Sequence, residues 1–110
     1  GAGLPAGQYE LPNNWGLAAI SGPNGGVRLV ERNMELAGSA LTPMDAFINA
    51  VRLFGKDIAS ASRVCSRAPA RLMGLNKGEL AAGRDADVIV VDANLGLRYT
   101  IVAGKVVYTA

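Results

Sequence analysis

Asp85 and Asp87 are the nearest approach to a pair of catalytic carboxylates in this sequence. They stand in Asp85-Ala86-Asp87, just before the apolar run Val88-Ile89-Val90-Val91. An acid in a turn that enters a strand ordinarily satisfies backbone N–H groups of that turn. Lys77 and Gly78 read as turn residues in the same way. There is no histidine. Hydrolytic zinc sites rely on imidazole ligands, so no His-x-His pair, cysteine cluster or serine–histidine couple can form here. Cys65 is the single cysteine, among small apolar neighbours on a helical pattern. It reads as a buried, inert thiol, and the lack of any disulfide pair fits a reducing cytoplasm. Trp15 and Tyr9 lie in a loop-rich stretch. Their rings could line a sugar site, although simple anchoring is the plainer role. In Leu36-Ala37-Gly38-Ser39-Ala40-Leu41 the small residues would let a ligand approach the backbone, although a tight packing loop into a helix is the plainer reading.

These residues need elements to hold them. Thr42 reads as a helix N-cap, Pro43 as the first helical residue and Asp45 as the acid of a capping box. The spacing predicts a helix over 43–54, with Met44, Phe47, Ile48 and Val51 as its apolar stripe, widened by Leu53 and Phe54. Gly55 is its stop. Residues 36–41 then form the loop leading in. Asp57 caps a second helix whose apolar face is Ile58, Ala61, Val64 and Cys65. Pro69 opens a short third helix that Gly74 ends. Earlier in the chain, residues 17–20 and 27–30 read as a hairpin around a turn at 21–26. After Leu75 the pattern turns to period two. Residues 77–80 suggest a short strand, and 88–91 a strand buried on both faces. Residues 97–102 and 105–108 form strands joined at Ala103-Gly104. Ala103 tolerates positive φ poorly, so a type I turn with a glycine bulge is expected there rather than type I′.

A chain of 110 residues, half of them apolar, is long enough for one globular unit with a modest core. Its net charge of +2 is spread without a large basic cluster. Arg63, Arg67 and Arg71 recur at fourfold spacing and read as a solvated helix face. Neither nucleic acid nor a membrane surface is indicated as a partner. No apolar run approaches the ~18 residues of a membrane helix, and no leader pattern opens the chain.

Three blocks carry a resemblance. They are Leu36-Ala37-Gly38-Ser39-Ala40-Leu41, Pro69-Ala70-Arg71-Leu72-Met73-Gly74-Leu75, and Lys77-Gly78-Glu79-Leu80-Ala81-Ala82-Gly83-Arg84-Asp85-Ala86-Asp87-Val88-Ile89-Val90-Val91-Asp92. Together they resemble the C-terminal part of an amidohydrolase. Within that superfamily they are most similar to the N-acetylglucosamine-6-phosphate deacetylases. Ala6-Gly7-Gln8-Tyr9-Glu10-Leu11 points the same way.

The resemblance implies an α/β fold: the last helices of a metal-dependent hydrolase (β/α)8 barrel, followed by strands of a small composite β domain. Residues 1–74 would close the barrel and residues 75–110 would form part of the β domain. It implies hydrolysis of the acetamide of N-acetylglucosamine 6-phosphate by a full-length parent. That parent would hold a divalent metal, by expectation zinc, with metal ligands and acid/base upstream of this chain. The chain alone is expected to be inactive and to bind no metal. Leu36, Ala37 and Gly38 would contact the amino-sugar phosphate, mostly through their backbone. The implied partner is the upstream part of the same enzyme or a second copy of the chain, in the cytoplasm. Relatives often carry asparagine where Ala68 stands and Asn-Gly where Ala103-Gly104 stands, so a helix cap is missing here. Two alternatives remain open at this point. One is a non-catalytic stand-alone or oligomeric domain. The other is an amidohydrolase of different substrate, dihydroorotase- or D-aminoacylase-like.

Overall fold

In a computed structural model, residues 3–22 and 25–110 are described. Gly1 and Ala2, expected to be irregular, and Pro23 and Asn24, in the expected 21–26 turn, lie outside them. The chain divides into two units, Gly1–Ala46 and Phe47–Ala110.

The first unit is a four-stranded antiparallel meander. Strands β1 (Gly7–Glu10), β2 (Leu17–Ile20), β3 (Val27–Leu29) and β4 (Glu35–Gly38) lie in sequence order across the sheet. The expected hairpin is its middle, β2 against β3. Ala18 and Ile20, two apart on one face of β2, are buried, as is Ala40. The two outer strands were not legible. Gly7-Gln8-Tyr9-Glu10 has no apolar alternation, and it is a strand because β2 offers it a backbone ladder from Gly7↔Ile20 to Glu10↔Leu17. Residues 36–38 correct the loop expected over 36–41, because β3 recruits them in the same way. An edge strand with exposed side chains needs no hydrophobic period.

Helix α1 (Pro43–Arg52) begins with the expected capping box. Asp45 N–H donates to Thr42 Oγ1 at 3.1 Å, and Asp45 Oδ2 accepts from Thr42 N–H at 2.9 Å and from its hydroxyl at 2.7 Å. Phe47 and Ala50 are buried. The helix ends two residues earlier than expected, so Leu53 and Phe54 lie past it and are exposed. Gly55, at φ +61°, turns the chain away, and Lys56 N–H returns to the Ala50 carbonyl at 3.0 Å.

The next helices correct a second expectation. Asp57 does cap α2 (Ile58–Ser62), through Ser60 N–H at 2.6 Å. The third helix does not start afresh at Pro69. A π-helical segment, Arg63–Arg67, runs directly into α3 (Ala68–Leu72), with helical backbone angles at each junction. Proline lacks an N–H, and its ring strikes the carbonyl four residues back. A widened turn just before Pro69 relieves that clash and lets the chain continue. Ala68 therefore has no free helix end to cap. Ala61 and Ala70 are buried, Cys65 is half-buried rather than buried, and Ile58 and Val64 are exposed.

Strands β5 (Val88–Val91), β6 (Leu97–Val102) and β7 (Lys105–Thr109) form an antiparallel three-stranded sheet in that order. Residues 77–80 are not a strand. Val88-Ile89-Val90-Val91 is not buried on both faces within this chain, with Ile89 46% and Val90 40% exposed. The hairpin turn is also corrected. Ala103 and Gly104 have φ +49° and +76°, the type I′ signature. The turn is held from outside itself, since Ala103 N–H donates to Asp87 Oδ1 at 2.9 Å and Gly104 N–H to the Ala86 carbonyl at 3.0 Å. An alanine in the left-handed region costs about 1 kcal/mol. Ala103→Asn keeps the N–H and tolerates that region, so it is expected to stabilise the protein by about 0.5–1 kcal/mol in chemical denaturation. A loss of stability would show that the turn adopts another conformation in solution.

Candidate functional site

Leu36, Ala37 and Gly38 lie on β4, at one edge of the first unit's sheet. The register steps from Arg28↔Leu36 to Val27↔Gly38, so Ala37 is the extra residue of a bulge. Among the described residues the outward backbone groups of β4 have no neighbouring strand. Leu36 is 67% exposed. A Cβ built on Gly38 meets no heavy atom within 4 Å, and Gly38 is not among the residues with positive φ. The glycine that permits the close approach here is Gly26, at φ +68°. A Cβ there would stand 2.9 Å from the Gly38 carbonyl oxygen and 2.7 Å from a Leu36 methyl. Sequence reasoning passed over Gly26 because its neighbours mark it only as a turn residue.

Tyr9 and Trp15 belong to the opposite side of the sheet. Tyr9 is on β1 and donates its hydroxyl to the Pro5 carbonyl at 2.8 Å. Trp15 is 73% exposed in the β1–β2 connection, after Asn13 and Asn14 at φ +59° and +57°. Strands lie ~4.8 Å apart, so β1 and β4 are separated by about 14 Å across the sheet. That exceeds a sugar ring. The fold does not gather the two aromatics and residues 36–38 around one monosaccharide.

The N-terminus of α1 offers no vacancy for a phosphate. Asp45 already occupies it, and its carboxyl is held below the ordinary range first by the Thr42 hydroxyl and then by the Thr42 N–H.

Asp87 has a structural role, but the backbone N–H it accepts from is that of Ala103 in another turn, and Asp85 makes only a longer contact to Lys77. Lys77 Nζ donates to Asp87 Oδ2 at 2.6 Å and lies 3.9 Å from Asp85. Around them the 76–87 loop is tied by side chains instead of a strand ladder, which explains the missing strand at 77–80. Asn76 Nδ2 donates to the Gly83 carbonyl at 2.9 Å, and Asn76 Oδ1 accepts from Arg84 Nη1 at 2.9 Å. Glu79 pairs with Arg84 at 2.9 Å and with Arg67 at 2.7 Å. Arg67 is thus an anchor rather than part of a purely solvated face, while Arg63 rests on the Ser60 hydroxyl at 2.9 Å.

The Lys77 hydrogen bond and then the Ala103 N–H lower the Asp87 pKa below 3.8, and the Asp87 hydrogen bond and charge raise Lys77 above 10.5. The acid's contribution is complete above 3.8 and is lost as pH falls through its lower folded value. The lysine's is complete below 10.5 and is lost as pH rises through its higher folded value. The melting-temperature deficit of Asp87→Asn is therefore expected to stay flat from about pH 5 to about pH 9 and to shrink in acid. A deficit that already varies near neutrality would contradict this pairing.

No three metal-ligating side chains converge among the described residues, and the sequence has no histidine. These residues do not fit the metal that the resemblance implies.

The amidohydrolase family model matches residues 28–107. The chain belongs to the amidohydrolase family. It is 34% identical over 105 residues to an N-acetylglucosamine-6-phosphate deacetylase of Lysinibacillus sphaericus, covering 94% of this chain and 26% of that protein. It is 32% identical over 106 residues to a putative N-acetylgalactosamine-6-phosphate deacetylase of Escherichia coli, covering 94% of this chain and 60% of the relative. Among solved structures it is similar to the N-acetylglucosamine-6-phosphate deacetylase of Thermotoga maritima, with TM-score 0.81 and 30% identity over 99% of this chain and 29% of that one. The mixed helix-and-sheet fold expected from the resemblance is the fold observed. The chain spans about a quarter of the length of the Lysinibacillus and Thermotoga proteins.

Proposed function

We propose that this chain is the C-terminal segment of a metal-dependent amidohydrolase that hydrolyses the acetamide of N-acetylglucosamine 6-phosphate to acetate and the free amine. The observation that carries the reading is the match of nearly the whole chain to part of a deacetylase at TM-score 0.81 and 30% identity. Residues 1–74 are the end of the barrel domain, and residues 75–110 are part of the small β domain. The catalytic acid/base and the ligands of a divalent metal, zinc by preference, lie upstream in the parent. Hydrolytic zinc sites rely on imidazole ligands, which this sequence does not supply. Leu36, Ala37 and Gly38 contact the sugar phosphate through the exposed edge of β4. The exposed Ile89 and Val90 fit an upstream half of the β domain covering them. A cytoplasmic setting agrees with the single cysteine.

The test is to express this chain alone and joined to its upstream reading frame. The joined protein is expected to bind divalent metal and release acetate and amine in equal amounts. The chain alone is expected to be inactive and to self-associate in sedimentation. A joined protein that neither binds metal nor turns over would overturn the reading. So would a compact, active monomer of the chain alone. The Escherichia coli relative supports a second reading, in which the substrate is N-acetylgalactosamine 6-phosphate. The ratio of kcat/KM for the two sugar phosphates decides between them.

A further inference from the structure

The β3–β4 connection holds two consecutive non-glycine residues in the left-handed region, Asn33 at φ +50° and Met34 at φ +61°. Asparagine accepts that region; a long unbranched side chain such as methionine has no local hydrogen bond to compensate for it. Such strain persists only where surrounding contacts over-determine it. Here the contacts are one side-chain and one backbone hydrogen bond, both on Met34. Arg28 Nη1 donates to the Met34 carbonyl at 3.0 Å, and Arg28 Nε donates to the Gly25 carbonyl at 3.2 Å. The Met34 N–H closes the connection on the Leu29 carbonyl at 3.0 Å. Arg28 also faces Leu36 in the strand register, beside the bulge that leaves Ala37 unpaired. One guanidinium therefore ties together the start of β3, the strained turn and the approach to β4. Its donors form a rigid fork, so fixing two carbonyls fixes their separation.

We propose that Arg28 is a positioning residue: by clamping the Asn33–Met34 turn it sets the register and bulge of β4, and so the place of the Leu36–Gly38 backbone. The consequence for substrate rests on the function proposed above. The placement of β4 does not.

The experiment uses the full-length enzyme and three variants, Arg28→Ala, Met34→Gly and the pair together. Hydrogen exchange over residues 35–38 is expected to quicken in Arg28→Ala. It is expected to return towards wild type in the double variant, because glycine adopts the turn without strain and no longer needs the clamp. In kinetics, Arg28→Ala is expected to raise KM for N-acetylglucosamine 6-phosphate roughly tenfold with kcat little changed, since uniform binding is what is lost. Met34→Gly should recover most of that rise. Unchanged exchange in Arg28→Ala would overturn the proposal. So would quickened exchange that Met34→Gly does not relieve, since Arg28 would then be a general stabiliser. Quickened and relieved exchange with an unmoved KM would leave the clamp standing and remove residues 36–38 from the substrate site.

Discussion

On the function proposed above, Gly38→Val in the full-length enzyme should raise KM for the amino-sugar phosphate by on the order of tenfold to a hundredfold, with melting temperature and metal content close to wild type. The structure makes this substitution more informative than the sequence did. An added Cβ at Gly38 meets nothing within 4 Å, and the residue does not have a positive φ. The sheet itself therefore accepts a side chain there. Any large effect must come from what approaches the exposed edge of β4. The capping box of Thr42 and Asp45 is a separate local unit and should hold α1 regardless. Ala37 is exposed on the bulge, and a main-chain contact predicts that its side chain matters much less. Steady-state kinetics on Gly38→Val and Ala37→Ser, beside thermal melts, separate the cases. A wild-type KM for Gly38→Val would make β4 merely an edge strand. Loss of stability together with activity would mean that its environment is tighter than the structure shows.

Gly78→Ala should be among the most damaging single substitutions for stability, at about 3 kcal/mol. Gly78 has φ +88°, and a Cβ there would lie 2.7 Å from the Ala70 Cβ and 2.8 Å from the Ser66 carbonyl oxygen. Neither neighbour is the flexible end of a side chain. One belongs to α3 and the other to the π-helical segment, so the helix backbone would have to shift. The same close approach brings Glu79 to Arg67 at 2.7 Å and would be disturbed with it. Gly83→Ala is the matched control. It shares a positive φ of +80° but meets nothing within 4 Å, so it should cost only the backbone strain, about 1 kcal/mol. Denaturant unfolding of both variants isolates the packing contribution. Equal losses at the two positions would show that the loop does not press on the helix in solution.

Local chemistry made several elements legible. Thr42, Pro43, Asp45 and Gly55 specify α1 because capping groups lie within a few residues of the groups they satisfy. Asp57 announces α2 for the same reason, and Leu17–Ile20 with Val27–Leu29 is read from β-rich runs about a turn. The absence of histidine excluded a zinc centre of the usual kind without any coordinates. The Asp85-Ala86-Asp87 acids were legible as structural, although the turn that Asp87 serves is the distant one at Ala103. The family blocks were legible as strings.

What the sequence hid depends on partners distant along the chain. β1 and β4 exist because β2 and β3 offer backbone ladders, and a ladder leaves no hydrophobic period in the strand it recruits. The type I′ turn at Ala103 is held by Asp87, sixteen positions away, so the local preference of alanine is overruled. Pro69 reads locally as a helix start, yet a π turn before it lets the helix run through. Trp15 and Leu36 were both open to a sugar contact in the sequence, with Leu36 preferred, and the order of the four strands sets them on opposite edges. Caps, turn residues and missing residue types are short-range facts that a sequence states outright. Which edge is free, which glycine is crowded and which arginine holds a strained turn are decided only when distant segments meet.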